Sequence, residues 1–280
     1  MTDPDQPTYV LGHAPNELDR LVRQSSFFAE LTDELLRKAG IAPGMRVVDI
    51  GCGAGDVSML LASLVGETGS VVGVDRSAES VQLAHQRSET AGLTNVTFRH
   101  GDLADFTLEG GSFDALVGRF VLMYLAGPAP TLERLSRLVR PGGLVVFQEM
   151  DMRAARSSPP VPLYEIAIGW IRETFARVGV ELDMGSRLYP TYRRAGLPPP
   201  ELLLRGRIEA AADSPAYAYV ADTVRSLLPM AERLGVVSPR DVDIDTLADR
   251  LRDDVVRANA VVTLPLLIGA WAHVPQTGTQ

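Results

Sequence analysis

An α/β fold built on a mostly parallel sheet is what this sequence predicts, and three observations predict it. Short valine-rich runs alternate with amphipathic helical stretches at a spacing of roughly 25–30 residues, the pattern of right-handed βαβ units. One run, V-V-D-I-G-C-G-A-G from Val47 to Gly55, passes from a strand through a glycine loop straight into a helix. Acids close the first two strands, Asp49 and Asp75, at the carboxyl ends where an open α/β sheet gathers its ligands.

The elements follow in order. Asn16 is placed to cap a helix with Leu18, Leu21, Val22 and Phe28 on one side, and the helical pattern of Leu31, Leu35 and Leu36 stops at Gly40. A first strand is expected over Arg46–Ile50 and a helix over Asp56–Val65, where Val57, Leu60, Leu61 and Leu64 keep the helical period. Val71–Val74 reads as the second strand, Ser77 caps a helix ending at Gly92, and Val96–Phe98 is the third strand, leading to His100-Gly101-Asp102. After a turn at Gly110-Gly111-Ser112 the fourth strand is expected over Asp114–Gly118, a helix over Thr131–Val139, a turn at Pro141-Gly142-Gly143 and a fifth strand over Leu144–Phe147. The second half is less regular. Helices are expected over Val161–Val178, Tyr189–Ala195, Ala216–Leu234 and Thr246–Ala258, and strands over Glu201–Ile208 and Val261–Ile268.

Composition narrows the function. A chain of 280 residues with 46% hydrophobic and 22% charged residues can bury a sizeable core. Its net charge of −8 argues against nucleic acid, whose binders carry a positive footprint. Cys52 is the single cysteine, which rules out an internal disulfide or a cysteine zinc cluster. The start has neither the basic nor the apolar region of a secretory signal. The longest apolar run, Ala260 to Ala272, is too short to span a bilayer and contains Pro265. A soluble, cytoplasmic protein is expected. Monomer or homo-oligomer is left open.

The glycine loop suits a nucleoside. Gly51, Gly53 and Gly55 remove every other Cβ, so a ligand can lie almost against the main chain, and a carboxylate is available for ribose hydroxyls. A dinucleotide needs G-x-G-x-x-G, but here the third-glycine position holds Asp56, which would face phosphate charge. S-adenosylmethionine has no phosphate and carries a positive sulfonium, so acids near its loop are tolerable or helpful. Spacing and charge both favour the sulfonium ligand.

On these residues the chain resembles class I S-adenosylmethionine-dependent methyltransferases. The matching motifs are Val47 to Gly55, Val71 to Asp75, His100-Gly101-Asp102-Leu103, Phe113-Asp114 and L-V-R-P-G-G-L from Leu138 to Leu144. They cover about residues 40–150, and within the class the chain looks most like the enzymes related to ubiquinone/menaquinone C-methyltransferase. Y-V-L-G-H followed by E-L-D-R-L near the start is similar to the same group. The resemblance implies a Rossmann-like, mostly parallel sheet ending in an antiparallel pair, with a helical lid. The expected division is an N-terminal lid segment over residues 1–40, a cofactor core over 41–150 and the rest of the sheet with lid insertions over 151–280.

The resemblance also implies roles. The backbone of Gly51, Gly53 and Gly55, with Cys52 as a small filler between them, would pass under the methionyl moiety and ribose. Asp75, with Asp49 and Arg76 beside it, would accept from the ribose hydroxyls. Asp102 would accept from the adenine amino group, or be an exposed loop acid, and the Leu103 amide would meet a ring nitrogen. Gly118 or Arg119 would lie beside the methionyl amino acid, unless Arg119 merely pairs with a nearby acid. Tyr9 and His13 would belong to a segment folding over the cofactor, or to a tail.

Methyl transfer to an acceptor is in-line displacement of a neutral thioether, so alignment and dryness matter most, worth roughly 7–11 kcal/mol of barrier. A general base adds about 10²–10⁴-fold, so its absence is tolerable. His13 and Glu149 are the better-placed candidates, Glu149 at the end of the fifth strand with Asp151 behind it; a solvated loop acid is the alternative for Glu149. His85, His100 and His273 read as structural, and no metal-ligand spacing is present. About fifty mainly helical residues separate the expected final pair of strands. That insertion and the Val161–Val178 helix would form a lid, with Met123, Tyr124, Tyr164, Trp170 and Phe175 as candidates for an apolar acceptor pocket or for ordinary core packing. The leading reading is methylation of a hydrophobic small molecule in specialised-metabolite biosynthesis. The alternatives are cyclisation or rearrangement on the same fold, a non-catalytic scaffold, and, as a minor one, an NAD-dependent dehydrogenase.

Overall fold

The computed structural model describes residues 15–103, 113–238 and 242–276, and of residues 15–26 only the backbone. A seven-stranded sheet forms the centre. It is built from β1 (Arg46–Ile50), β2 (Ser70–Asp75), β3 (Val96–His100), β4 (Phe113–Arg119), β5 (Val139–Asp151), β7 (Glu201–Arg205) and β10 (Leu266–His273). The spatial order is β3-β2-β1-β4-β5-β10-β7. The first five are parallel, whereas β10 runs antiparallel to both β5 and β7. The expected fold class and its final antiparallel pair are therefore present, and the strand order reverses at β1, where α/β sheets open a crevice.

The helices α1 (Pro15–Ala39), α2 (Asp56–Val65), α3 (Ala78–Thr90), α4 (Pro128–Ser136), α5 (Pro162–Arg177), α6 (Met184–Arg194), α7 (Ala216–Arg233) and α8 (Leu247–Arg257) complete the elements described. Successive residues of a strand point to opposite faces, and β10 shows which helix covers which. A Cβ on Gly269 would lie 2.3 Å from Leu35 of α1, so that helix presses on one face. A Cβ on Gly185 of α6 would lie 3.0 Å from the Glu149 carbonyl oxygen and 3.1 Å from Ile268, so that helix covers the other face. Leu35, Leu36, Leu61, Ile50, Leu116 and Phe147 are among the large side chains buried by this layering.

Several expected boundaries shift for identifiable reasons. Helix α4 begins at Pro128, which needs no N–H in the first turn, and Val139 belongs to a strand. The Pro141-Gly142-Gly143 turn is absorbed as an irregularity inside a 13-residue β5, where Phe113 pairs with Val139 but Ala115 with Leu144. The expected strand over 201–208 breaks at Gly206-Arg207 into β7 and β8 (Ile208–Glu209). The one over 261–268 breaks at Leu264-Pro265 into β9 (Val261–Thr263) and β10, because Pro265 has no N–H to give to a ladder. Strands β8 and β9 join β6 (Arg156–Ser158) in a second, three-stranded sheet ordered β6-β9-β8. Among the described residues no helix is long and apolar enough to cross a membrane.

Candidate functional site

One cavity, of about 360 Å³, opens at the carboxyl ends of β1, β2 and β4 and runs under α5 and α7. Its floor is the glycine loop. Gly51 takes φ +67 and a Cβ there would lie 2.6 Å from Val121 Cγ2, so no other residue fits without moving that wall. Gly53 takes φ +52 and has nothing within 4 Å of its missing Cβ, leaving bare main chain toward open space. The loop is tied down from behind. Arg87 of α3 donates to the Ala54 carbonyl and to Asp56 Oδ1, both at 2.6 Å. The carboxylate of Asp56 therefore has a cation beside it instead of facing the cavity alone.

The acids at the strand ends are held in place by local hydrogen bonds. Asp75 accepts the Gly53 N–H on Oδ2 at 2.8 Å and the Ser77 N–H on Oδ1 at 2.9 Å, locking the end of β2 to the glycine loop. Asp49, 1% exposed, accepts the Ser58 hydroxyl at 2.5 Å. Burial pushes its carboxyl up to about 7, with the Ser58 bond and the Arg119 charge pulling the other way. Arg119 donates to Thr32 Oγ1 of α1 at 3.1 Å, and Thr32 donates to Gln148 at 2.8 Å. Burial lowers the Arg119 pKa, while the charges of Asp56 and Asp49 raise it. The Cys52 thiol is buried and its pKa is pushed up, as befits a filler.

Nine of the expected cofactor residues line this cavity: Asp49, Gly51, Cys52, Gly53, Asp75, Arg76, Asp102, Leu103 and Arg119. Asp102 and Arg76 are exposed, and the Leu103 carbonyl is held by the Arg134 guanidinium. Gly55 and Gly118 do not line it. A Cβ on Gly55 would press into Ala84 and Phe98, and one on Gly118 into the Phe147 ring, so both serve close packing behind the wall. Tyr9 and His13 lie outside the described residues.

The far end of the cavity is apolar and aromatic. Of the five acceptor candidates, Tyr124 and Phe175 line it and Met123, Tyr164 and Trp170 do not. Met123 is 1% exposed and turned into the core. Tyr164 is buried one helical turn beyond the cavity, its hydroxyl on the Thr263 carbonyl at 3.1 Å. Trp170 lies beside a separate small crevice between α5 and α7. Ile168, Ile171 and Phe175 form the α5 face toward the cavity, at helical spacing. The rest of the chamber comes from Phe120, Val121, Leu125, Met150, Met152, Tyr219, Val220, Thr223 and Pro265. Phe120 stands at φ +56, uncommon for a bulky residue. Tyr219 stacks on Phe27 of α1 at 5.2 Å, joining the insertion to the N-terminal helix.

Glu149 is not among the lining residues. It lies fully buried in β5, its Oε1 accepting the N–H groups of Val121 and Leu122, and burial pushes its carboxyl up to about 8. Asp151 pairs with Arg153, which, with Ser186, outweighs desolvation and holds its carboxyl down at about 2. Among the described residues no cluster of His, Cys, Asp and Glu could hold a metal.

Comparison with known proteins bears on this site. Over 131 residues the chain is 31% identical to a demethylmenaquinone methyltransferase of Staphylococcus aureus, a match covering 47% of this chain and 51% of that protein. Over 121 residues it is 40% identical to an arsenite methyltransferase of Aquipseudomonas alcaligenes, covering 40% of this chain and 35% of that one. The chain thus spans about half or less of the length of these relatives. A crystal structure of a SAM-dependent methyltransferase from Aquifex aeolicus superposes with a TM-score of 0.52 at 24% identity, over 69% of this chain and 91% of that one, and shows the shared fold. The methyltransferase domain family matches residues 41–184, from the approach to β1 to the first residue of α6. The chain belongs to the methyltransferase domain family.

Proposed function

We propose that this protein transfers a methyl group from S-adenosylmethionine to a neutral, largely apolar small molecule. The observation that carries the reading is the continuity of one cavity, acid-lined and floored by bare glycine backbone at one end, walled by aliphatic and aromatic side chains at the other. The cofactor end fits the group on its own chemistry. Gly53 leaves open space over the main chain, Asp75 is pre-set by two backbone amides to offer its remaining lone pairs to a diol, and Asp102 stands at the rim for the base. When bound, the cofactor supplies an electrophilic methyl on a positive sulfur. The chain's part is to orient and to keep dry: Arg119 and Asp49 fix the polar end, and Phe120, Ile171, Phe175 and Tyr219 exclude water from the acceptor end.

The arsenite relative supports the cofactor half only. A soft, thiophilic acceptor calls for thiolate ligands, and Cys52 is this chain's single cysteine, with its thiol pKa raised. An organic acceptor, such as a specialised-metabolite precursor, suits the chamber better. The test has two steps. Calorimetry with S-adenosylmethionine and S-adenosylhomocysteine should give binding that Asp75→Ala weakens; absence of binding defeats the reading. Purified protein with methyl-labelled cofactor and a panel of phenols, amines and prenylated aromatics should then incorporate label. Rearranged product without label would place the enzyme among cyclising members of the fold instead.

A further inference from the structure

Glu149 has no access to the cavity, yet it touches the segment that does most to shape it. Its Oε1 accepts the Val121 N–H at 2.9 Å and the Leu122 N–H at 2.7 Å. Those amides open the 3-10 turn Leu122–Tyr124, where helical starts leave donors without partners. Its Oε2 is buried and makes no hydrogen bond. The preceding residue of β5 adds a second grip, the Gln148 carbonyl accepting the Phe120 N–H at 2.9 Å. The segment so held faces two ways. Val121 sits against Gly51, closer than a Cβ there would allow, and braces the cofactor loop. Phe120, Tyr124 and Leu125 line the acceptor chamber. A left-handed Phe120 persists only where its surroundings over-determine it, and β5 supplies that constraint.

We propose that Glu149 is a positioning residue, clamping residues 120–125 from behind so that one short stretch of chain sets the spacing between the glycine loop and the acceptor chamber. What the two halves hold rests on the methyl-transfer reading above; the clamp itself does not. Glu149 takes no proton from an acceptor. With both amide hydrogens on Oε1, the carboxyl's own proton sits on Oε2, and glutamine reproduces the accepting oxygen. The titratable group set against it is Tyr192 from α6, whose hydroxyl donates to the Ala270 carbonyl at 2.9 Å.

The experiment uses the full chain and S-adenosylhomocysteine as probe, with calorimetry and amide hydrogen exchange of residues 120–125. Glu149→Gln should keep the affinity within about twofold and preserve the protection of the segment. Glu149→Leu and Glu149→Asp should each weaken binding by about tenfold or more and speed that exchange, since losing hydrogen bonds to buried amides is worth about a decade. If Glu149→Leu does not fold, the shorter Glu149→Asp decides. Wild-type affinity and protection in Glu149→Asp or Glu149→Leu overturn the clamp, and so does a Glu149→Gln as impaired as Glu149→Leu. A wild-type protein that ignores the probe defeats the methyl-transfer reading instead, and the exchange data alone then judge the clamp.

Discussion

Glu149→Gln should turn a pH-dependent stability into a flatter one, and the size of the change follows from the site. The Glu149 carboxyl is neutral in the fold up to about pH 8, against an ordinary value of 4.5, because burial opposes its charge more than the amides of Leu122 and Val121 favour it. Unfolding between those two values releases a proton. The folded state binds more protons there, so stability falls as pH rises, by up to about 1.4 kcal/mol per unit, and levels off above pH 8. Over the whole window this single group costs on the order of 4–5 kcal/mol. Glutamine never ionises, keeps the accepting oxygen and puts an N–H₂, one donor hydrogen more than the protonated carboxyl, where Oε2 has no partner, a cost of about 1–3 kcal/mol at every pH. The variant should therefore be less stable at pH 5 and more stable at pH 8, with the two curves crossing near pH ~6. Asp49, raised to about 7, and Asp151, lowered to about 2, are common to both proteins and cancel in the difference. Urea denaturation at pH 5, 6, 7 and 8 reads it directly. Parallel curves would refute the claim that Glu149 stays protonated inside the wall.

Three further outcomes are expected. Asp75→Ala deprives the Gly53 and Ser77 amides of their acceptor as well as removing the diol partner; affinity for S-adenosylhomocysteine should fall roughly 10–100-fold, the worth of one or two charge-assisted hydrogen bonds, and an unchanged calorimetric Kd would contradict its role. The ratio of S-adenosylmethionine to S-adenosylhomocysteine affinity should rise as pH passes through about 7, because ionised Asp49 favours the cationic sulfur over the neutral one; the rise should vanish in Asp49→Asn, and a ratio flat from pH 5.5 to 8.5 in the wild type speaks against it. Ile171→Phe puts bulk at the acceptor end of the cavity, away from the cofactor end; S-adenosylhomocysteine binding should stay within about twofold while label incorporation drops, at a packing cost of about 1–3 kcal/mol, and equal loss of both would show that the two ends of the cavity are not separable.

The cofactor half was legible in the sequence because it is local. Strand β1, the glycine loop and α2 are contiguous, and Asp75 follows the next strand, so spacing there, with the family resemblance for Asp102, Leu103 and Arg119, pointed to nine residues that line one cavity. Gly55 and Gly118 share the loop and strand-end chemistry but serve packing, a distinction that depends on Ala84, Phe98 and Phe147 arriving from elsewhere. The acceptor half resisted for the same reason. Tyr164, Ile168, Ile171 and Phe175 share the buried face of α5, but which turn of that face meets the cavity is set by where β9 and α7 lie. The strand breaks at Gly206 and Pro265 that build the small sheet were visible as residues and unread as breaks. Tyr219, Val220 and Thr223 show no pattern that separates lining from core until α7 is docked on α5 and α1.

That division also explains how charge is deployed in the site. Asp49, Asp56 and Asp75 crowd one loop, an arrangement that self-repulsion would oppose without counterions. Arg87 answers from outside the cavity, on Asp56 and the loop carbonyl, while Arg119 answers from within and is coupled to Asp49 and Asp56. Arg119 is in turn restrained through Thr32 of α1 and Gln148 of β5, the strand that also carries Glu149. The polar end therefore leans on the N-terminal helix and on the wall behind residues 120–125; Phe27 and Phe28 of that helix pack against Tyr219 and Phe120, which line the acceptor end. A ligand that draws Arg119 toward its own carboxylate must pull against Thr32, and so against the aromatic contacts of α1. Thr32→Val, which frees Arg119 from that restraint without adding charge, should strengthen S-adenosylhomocysteine binding or leave it unchanged while loosening the Phe27 to Tyr219 stack; a loss of about tenfold or more in affinity would show that the threonine aims the guanidinium at the ligand instead of holding it back.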